Sequence, residues 1–344
     1  MRKIIHLGDL CHVAVNIVSG LNEKKHEAVV LISSNVDNYE PSSYLKINPM
    51  NRFGFLKYLY TLAFTFFNRK SIFHCHGMAG IFPFILNLPY ILHIHGSDLR
   101  EIKTRTFFNS WLYVKVLRKA KGVVVVSQDL IQNYYELGLD ATKLYFVPNS
   151  VELSQLDFDA NKVDYSRIEL FCPSSNHPIK FKDKLIDAFV MLNRKYADRL
   201  HLTLIDHPET DALLRRHSLE KHVMRNIFLI PLMDHKDLLE RYSDFDIVLD
   251  QFGDIMSHGV VAFEACLKGI PVISTLGENV FNGSGIYPGH SPNLIFNSVS
   301  ELIENRLISK AGLKSYNWVS ANLNNSLISD RFYTIYSNLL LHGL

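Results

Sequence analysis

At 344 residues, with 47% hydrophobic and 20% charged residues, the chain has the composition of a soluble globular protein with apolar material for about two domains. A formal net charge of +2 gives no bulk electrostatic reason to bind nucleic acid. Cys11, Cys75, Cys172 and Cys266 stand apart beside apolar runs, without metal or redox spacing, which fits reduced core thiols in a cytosolic protein.

The amino-terminal MRKIIHLGDL is too short in its apolar run for a signal peptide and predicts a strand over Lys3 to Leu7. No stretch approaches the ~18 apolar residues of a membrane-spanning helix. Gly8-Asp9 marks a turn into a helix from about His12 to Leu21, and Ala28 to Ser33 predicts the second strand. Gly8 alone falls short of the G-x-G-x-x-G dinucleotide pattern.

Arg52 to Lys70, RFGFLKYLYTLAFTFFNRK, is aromatic-rich, basic at both ends and charged between them only at Lys57. Two readings fit: a helix packed in the N-terminal domain, or a surface helix in the membrane interface, where aromatics and flanking Lys/Arg favour anionic lipid. Phe107 to Lys121 is a second aromatic and basic helix, with Lys115, Arg118, Lys119 and Lys121 on it.

Between these helices, Ile72 to Gly77 and Tyr90 to Gly96 are strands that each end in His-x-His-Gly. Alternate strand residues share a face, which pairs His74 with His76 and His93 with His95. With no carboxylate at ligand spacing, polar residues on the rim of a cleft are the preferred reading over a metal site. Val123 to Ser127 predicts a buried strand, followed by a helix through Leu137 capped by Gly138. Leu144 to Val151 is a strand closing on Pro148-Asn149, and the hinge is expected near residues 148 to 168.

The second half opens with a strand from Ile168 to Cys172, a polar loop from Pro173 to Asp183 and a helix to about Tyr196. Strands follow at Leu202 to Ile205 and Asn226 to Ile230. The stretch Asp246 to Ser274, DIVLDQFGDIMSHGVVAFEACLKGIPVIS, carries the most information. Ile247-Val248-Leu249 suits a buried parallel strand. Val260 to Lys268 has helical spacing, Gly269 is a natural residue to follow a helix, and Val272 begins another strand. Backbone N–H groups from Ser257 to Val261 would meet a phosphate at the carboxyl edge of the sheet. Glu264 lies more than a turn into this apolar helix, where it either emerges on the flank or accepts hydrogen bonds from sugar hydroxyls. The remainder predicts a loop at Asn282 to Gly285, a helix from about Val299 and a C-terminal helix from Trp318 to Leu341.

Gly259, Glu264, Ala265, Gly269, Pro271 and Val272 match the donor-binding motif of GT-B glycosyltransferases of the family 4 kind, and the sequence resembles that family over nearly its whole length. His95-Gly96-Ser97-Asp98-Leu99-Arg100 resembles a second family stretch, and Asn176-His177-Pro178-Ile179-Lys180 a third. The resemblance implies an α/β GT-B fold, with two Rossmann-like parallel-sheet domains facing an interdomain cleft. They would be an acceptor-side domain over 1–150 and a nucleotide-sugar domain over 151–325, with the 326–344 helix crossing back.

It implies catalytic roles for His95, Asp98, Lys180 and Glu264. Donor contacts are implied for Gly8, Asn176, His177, Lys180, Met233, Asp250, Ser257, His258, Gly259, Val260, Val261 and Glu264. Lys180 would bind the diphosphate, Glu264 the ribose, and Met233 would lie by the base. The sequence departs from the family at Met256, where an earlier glutamate usually stands, which leaves Asp250, Gln251 or Ser257 to meet the donor sugar. It also departs at Phe181, usually a glycine, and at Ser174 or Ser175, one of which replaces an arginine.

The implied activity is a retaining transfer from a nucleotide sugar to a glycan or lipid-linked acceptor in cell-surface polysaccharide or glycolipid synthesis. No cofactor or metal is expected: Asp157-Phe158-Asp159 and Asp244-Phe245-Asp246 lie in the hinge and before a buried strand and read as incidental. The expected location is cytoplasmic, peripheral on the cytosolic face of an anionic membrane. Two alternatives remain open, a nucleotide-sugar epimerase or hydrolase of the same fold and a non-catalytic partner subunit.

Overall fold

The computed structural model describes residues 2–9, 13–32, 44–46, 54–104, 106–151, 163–174, 182–253, 259–275 and 283–341. The chain divides into two compact units, Met1–Ser150 with Leu323–Leu344, and Val151–Asn322.

The first unit is built on β1 (Ile4–Leu7), β2 (Ala28–Ile32), β3 (Tyr44–Lys46), β4 (Ile72–His76), β5 (Tyr90–Ile94), β6 (Gly122–Val125) and β7 (Leu144–Phe146). They form one sheet in the order β3-β2-β1-β4-β5-β6-β7, with every neighbouring pair parallel. Parallel strands need crossovers, and the helices that supply them bury the strands from both faces. Sequences such as IIHL and GVVV suit this setting, and all of β1, β4, β5 and β6 is buried. The order reverses between β1 and β4, the kind of position at which open α/β sheets form their ligand crevice.

The second unit holds β8 (Ile168–Cys172), β9 (Leu200–Ile205), β10 (Ile227–Ile230), β11 (Ile247–Leu249), β12 (Val272–Ser274) and β13 (Tyr287–Pro288). The order is β10-β9-β8-β11-β12-β13, again parallel throughout, with the reversal between β8 and β11. The helix Lys182–Tyr196 shows how the core closes. Leu185, Ile186, Phe189 and Leu192 recur at helical spacing and are all fully buried in the core formed with β8 and β9. Each such side chain contributes about 1.5–3 kcal/mol on leaving water.

Three boundaries differ from the sequence expectation. The helix placed at Val299 begins at Pro292, because Ser291 caps it by accepting the Leu294 N–H at 3.3 Å and Pro292 suits the first turn. The single C-terminal helix is two, Ile308–Asn322 and Asn325–Leu341. Asn324 separates them by accepting the Leu327 N–H at 2.8 Å, a cap that competes with continuing the first helix. The unit boundary falls at this break, after Asn322, so the segment returning to the first unit starts at Leu323. It packs against the helix Val13–Glu23, with Ser329 Oγ donating to the Ile17 carbonyl at 3.1 Å. No helix among the described residues is long and apolar enough to cross a membrane.

Candidate functional site

In the second unit the chain leaves β11 at Asp250, whose side chain is fully buried. Its Oδ2 accepts from the Gly259 N–H at 3.1 Å and from Ser274 Oγ at 3.4 Å. Its main-chain carbonyl accepts from Ser174 Oγ at 3.0 Å, and the Ser174 carbonyl in turn accepts from Lys182 Nζ at 2.6 Å. A buried charge is tolerated where such partners surround it. The network ties the ends of β8, β11 and β12 to the start of the helix Val260–Leu267. A Cβ on Gly259 would stand 3.0 Å from Asp250 Oδ1, so this approach needs glycine. The first N–H groups of that helix, at Val260 and Val261, have no acceptor within the helix.

Glu264 is 6% exposed. Its Oε1 pairs with His235 Nε2 at 2.7 Å, and Oε2 makes no geometric hydrogen bond among the described residues. His235 is the first residue of the helix His235–Arg241, which Asp234 caps by accepting the Asp237 N–H at 2.9 Å. Donating a hydrogen bond to the Glu264 carboxylate raises the His235 pKa above its ordinary value. Gln251 is also buried, and its Nε2 has no hydrogen-bond partner among the described residues.

In the first unit the ends of β1, β4 and β5 lie side by side. Gly8 (φ +81°) and Gly96 (φ +149°) turn the chain out of β1 and β5 in conformations that side chains disfavour. A Cβ on Gly77 would stand 2.9 Å from Asp98 Oδ1, and Asp98 Oδ2 accepts the His95 N–H at 3.4 Å. Asp98 thus braces the turns after β4 and β5. Arg100 is paired with Asp129, its Nε donating to Oδ2 at 2.6 Å, and also donates to Ser127 Oγ at 3.2 Å.

Behind these turns His6, His74, His76, His93 and His95 pack against one another. His6, His74 and His93 are at most 1% exposed and His76 is 7% exposed. Burial lowers the pKa of all five, to about 3 at His6 and about 4 at His95, which keeps the cluster neutral. Nitrogens of two triads, His6–His74–His76 and His76–His93–His95, lie within 4.8 Å of one another.

The chain superimposes on solved structures over nearly their full length. Sucrose-phosphate synthase from Thermosynechococcus elongatus superimposes with a TM-score of 0.72 at 14% identity, covering 99% of this chain and 100% of that one. The Anabaena protein HepE in complex with UDP-glucose gives 0.72 at 17% identity, with 98% and 100% covered. A glycosyltransferase from Rickettsia africae gives 0.70 at 14% identity, with 98% and 99% covered. These likenesses establish the fold. No curated protein matches the sequence. Residues 12–155 match the family model for Glycosyltransferase Family 4. The fold is GT-B, and the family 4 match lies in the first part of the chain.

Within this fold, Asp250, Gly259, Val260, Val261 and Glu264 gather at the carboxyl end of β11, and Gly8, His95 and Asp98 at the ends of β1 and β5. Met233 lies two residues before His235 in the loop after β10. Asn176, His177, Lys180, Met256, Ser257 and His258 lie outside the described residues, as does Asp157-Phe158-Asp159.

Burial decides two readings and adds a structural role at two aspartates. Glu264 is buried, not emergent on the helix flank. The histidines of β4 and β5 lie inside the unit, not on an open rim, because helix Asn325–Leu341 covers them with Phe332 and Tyr336. Asp250 accepts from Gly259 and Ser274 through Oδ2 and so also braces the loop. Asp246 of the second Asp-x-Asp triplet accepts the Glu169 N–H at 2.8 Å and is pushed up to about 6 by burial, a structural role.

The sequence reading missed three participants. His235 follows a loop and has no periodic signal. Lys182 is 5% exposed, although a lysine opening a helix usually reads as solvated. His6 stands one strand away from the His-x-His pairs and shows its role only through the register of β1 beside β4.

Proposed function

We propose that the enzyme transfers a sugar from a nucleotide-sugar donor, with retention and without a metal, to a glycan or lipid-linked acceptor at the cytosolic face of a membrane. The product would belong to cell-surface polysaccharide or glycolipid. One observation carries the donor assignment: a buried carboxylate, Glu264, held at one oxygen by His235 and with no geometric hydrogen bond at the other among the described residues, on the helix that starts at the carboxyl edge of the sheet. A ribose diol supplies two O–H donors for such a group. The departing nucleoside diphosphate gains negative charge, which Lys180 and the N–H groups of Val260 and Val261 would stabilise. Asn176, His177, Ser257 and His258 would border the diphosphate, and Met233 the base. Gln251, whose buried Nε2 has no partner among the described residues, would stand in for the usual glutamate at the donor sugar. His95 and Asp98 serve the transferred sugar or the acceptor.

A metal is left out of this proposal because the described histidines use their nitrogens on one another. The histidine triads contain no carboxylate to offset a dication, and their nitrogens pair with one another at 2.8–3.2 Å. HepE was solved with UDP-glucose, so UDP-sugars are the first donors to try. Nucleoside diphosphate released only with acceptor present is the expected result. Release without acceptor would favour a hydrolase or epimerase, and no turnover with any donor a partner subunit. Glu264→Gln should weaken donor binding by about 1–3 kcal/mol, the range for a hydrogen bond to a charged group. Calorimetry with the nucleotide sugar checks this, and an unchanged Kd removes the assignment.

The membrane assignment rests on the first unit. Helices Gly54–Phe67 and Phe107–Lys119 both pack against the short helix Ile81–Ile85 and leave large apolar side chains outside. Phe67 is 79%, Phe107 87% and Phe108 64% exposed, with Tyr58, Tyr60, Phe66 and Trp111 near half. Lys57, Arg69, Lys70, Lys115, Arg118 and Lys119 are exposed on the same helices or just beyond them. Lys115 Nζ sits 3.8 Å above the Trp111 ring. Exposed aromatics interleaved with cations are the composition of an interfacial binder, and each cation near an anionic leaflet contributes about 1 kcal/mol. The enzyme should co-sediment with anionic liposomes at low salt and detach at high salt. Reversing Lys115, Arg118 and Lys119 to Glu should abolish binding with the melting temperature unchanged. Wild-type enzyme left in the supernatant at low salt would refute the assignment.

A further inference from the structure

The five histidines are joined by Tyr336 into a single file. His93 Nδ1 lies 3.2 Å from His74 Nε2, and His74 Nδ1 lies 2.6 Å from the Tyr336 hydroxyl. That hydroxyl lies 3.2 Å from His6 Nε2, His6 Nδ1 lies 3.0 Å from His76 Nε2, and His76 Nδ1 lies 2.8 Å from His95 Nε2. Every interior member uses both of its polar positions, so the file does not branch.

Proton counting restricts this arrangement. A neutral imidazole carries one N–H and one lone pair, and a phenol carries one O–H. Six side chains therefore bring six protons to five hydrogen bonds, and one proton is left over. A phenol oxygen also has two lone pairs, but if Tyr336 accepted from both His74 and His6 its buried O–H would lack an acceptor. With Tyr336 donating to one neighbour and accepting from the other, all the bonds share one direction and the surplus proton emerges at an end. At one end, His93 Nε2 is buried without a partner among the described residues. At the other, His95 is half-buried at the end of β5. A buried orphan N–H is rarer than a buried acceptor left unfilled. The surplus proton belongs at His95.

We infer that this file fixes the tautomer of His95, holding Nε2 as an acceptor from His76 and presenting Nδ1–H as a hydrogen-bond donor. The inference deepens the reading of His95 as a sugar or acceptor contact and rests on it for its chemical meaning. A fixed Nδ1–H donates to a ligand oxygen, such as a sugar hydroxyl or phosphate oxygen, and does not remove a proton from one. His6, His76 and Tyr336 are positioning residues for that donor. The low pKa values of the five histidines keep every member in the neutral form that the count requires.

The same triads of nitrogens would offer themselves to a transition metal, and the test separates the two uses. Enzyme labelled with 15N-histidine and dialysed against EDTA is studied by long-range 15N–1H correlation without any substrate, so failure of the transferase reading leaves the result intact. His95→Asn assigns the signal. The expected spectrum has the His95 proton on Nδ1, against the Nε2–H preference of an unconstrained histidine. A proton on Nε2, or a tautomer mixture, overturns the inference, and so does stoichiometric metal before dialysis with histidine signals that move on its removal.

Two variants test transmission. In His76→Phe, His95 loses its donor and should relax toward Nε2–H. In Tyr336→Phe, the His6–His76–His95 segment still holds three protons for two bonds, so His95 should stay Nδ1–H. The His93–His74 pair would then keep a buried orphan N–H, and the melting temperature should fall by several degrees. His95 unchanged in His76→Phe, or altered in Tyr336→Phe, sinks the idea. If neither variant folds, the wild-type spectrum decides by itself.

Discussion

Gly312→Ala should destabilise the second unit by about 3 kcal/mol, the upper part of the usual range for overpacking. Gly312 lies in the helix Ile308–Asn322, where that helix crosses the end of Val260–Leu267. A Cβ there would be built onto the carbonyl oxygen of Gly269 and 2.6 Å from its carbonyl carbon. The obstacle is backbone, so no rotamer change relieves it. Gly269 itself follows the helix in a left-handed conformation (φ +76°), with its N–H donating to the Cys266 carbonyl at 2.9 Å, and has little room to shift. Two packed helices must separate, and one of them carries Glu264. Urea unfolding measures the loss, and a midpoint within error of wild type would show that the close crossing is not a property of the protein. Donor affinity should fall alongside stability, because the helix start at Gly259 is registered on Asp250 through a single 3.1 Å hydrogen bond.

Lys180→Ala should lower kcat by ~10²–10³-fold, the size found when one preorganised charge-stabilising donor is removed. The usual arginine is absent at Ser174 or Ser175, and the described neighbour Lys182 is committed to the Ser174 carbonyl. Under the proposed function, neutralising the leaving diphosphate would therefore fall to Lys180 and backbone N–H groups. Since charge grows as the sugar departs, kcat should fall more than KM rises. Steady-state kinetics with a saturating acceptor decides it. A raised KM with intact kcat would place Lys180 in ground-state binding alone. Lys180→Arg should recover part of the rate by keeping the charge, although a guanidinium fork does not reproduce an ammonium point charge.

Much of this protein was legible in one dimension. Runs such as IIHL, AVVLI and GVVV carry the mark of strands buried on both faces, and alternation of these with helical spacing requires crossovers and so a parallel sheet. The turn glycines Gly8, Gly96 and Gly269 were readable because left-handed backbone is a local demand. The helix carrying Glu264 and the break before it were readable for the same reason, since caps and periodicity act over only a few residues.

What the sequence left open depends on which distant segments meet. The His-x-His pairs look alike whether they face water or the core, and the helix 325–341 decides this by laying Tyr336 over His6 from 330 positions away. His235 reaches Glu264 because β10 and β11 lie in one sheet, although β9 and β8 stand between them in its order. The bracing role of Asp250 came to light only when the loop closed on it and placed the Gly259 N–H on Oδ2. Local propensity and pattern set each element, because their energies come from neighbours within a turn or a strand. The polar partners of a buried group come from chain closure, and only the folded chain determines which donor meets which acceptor.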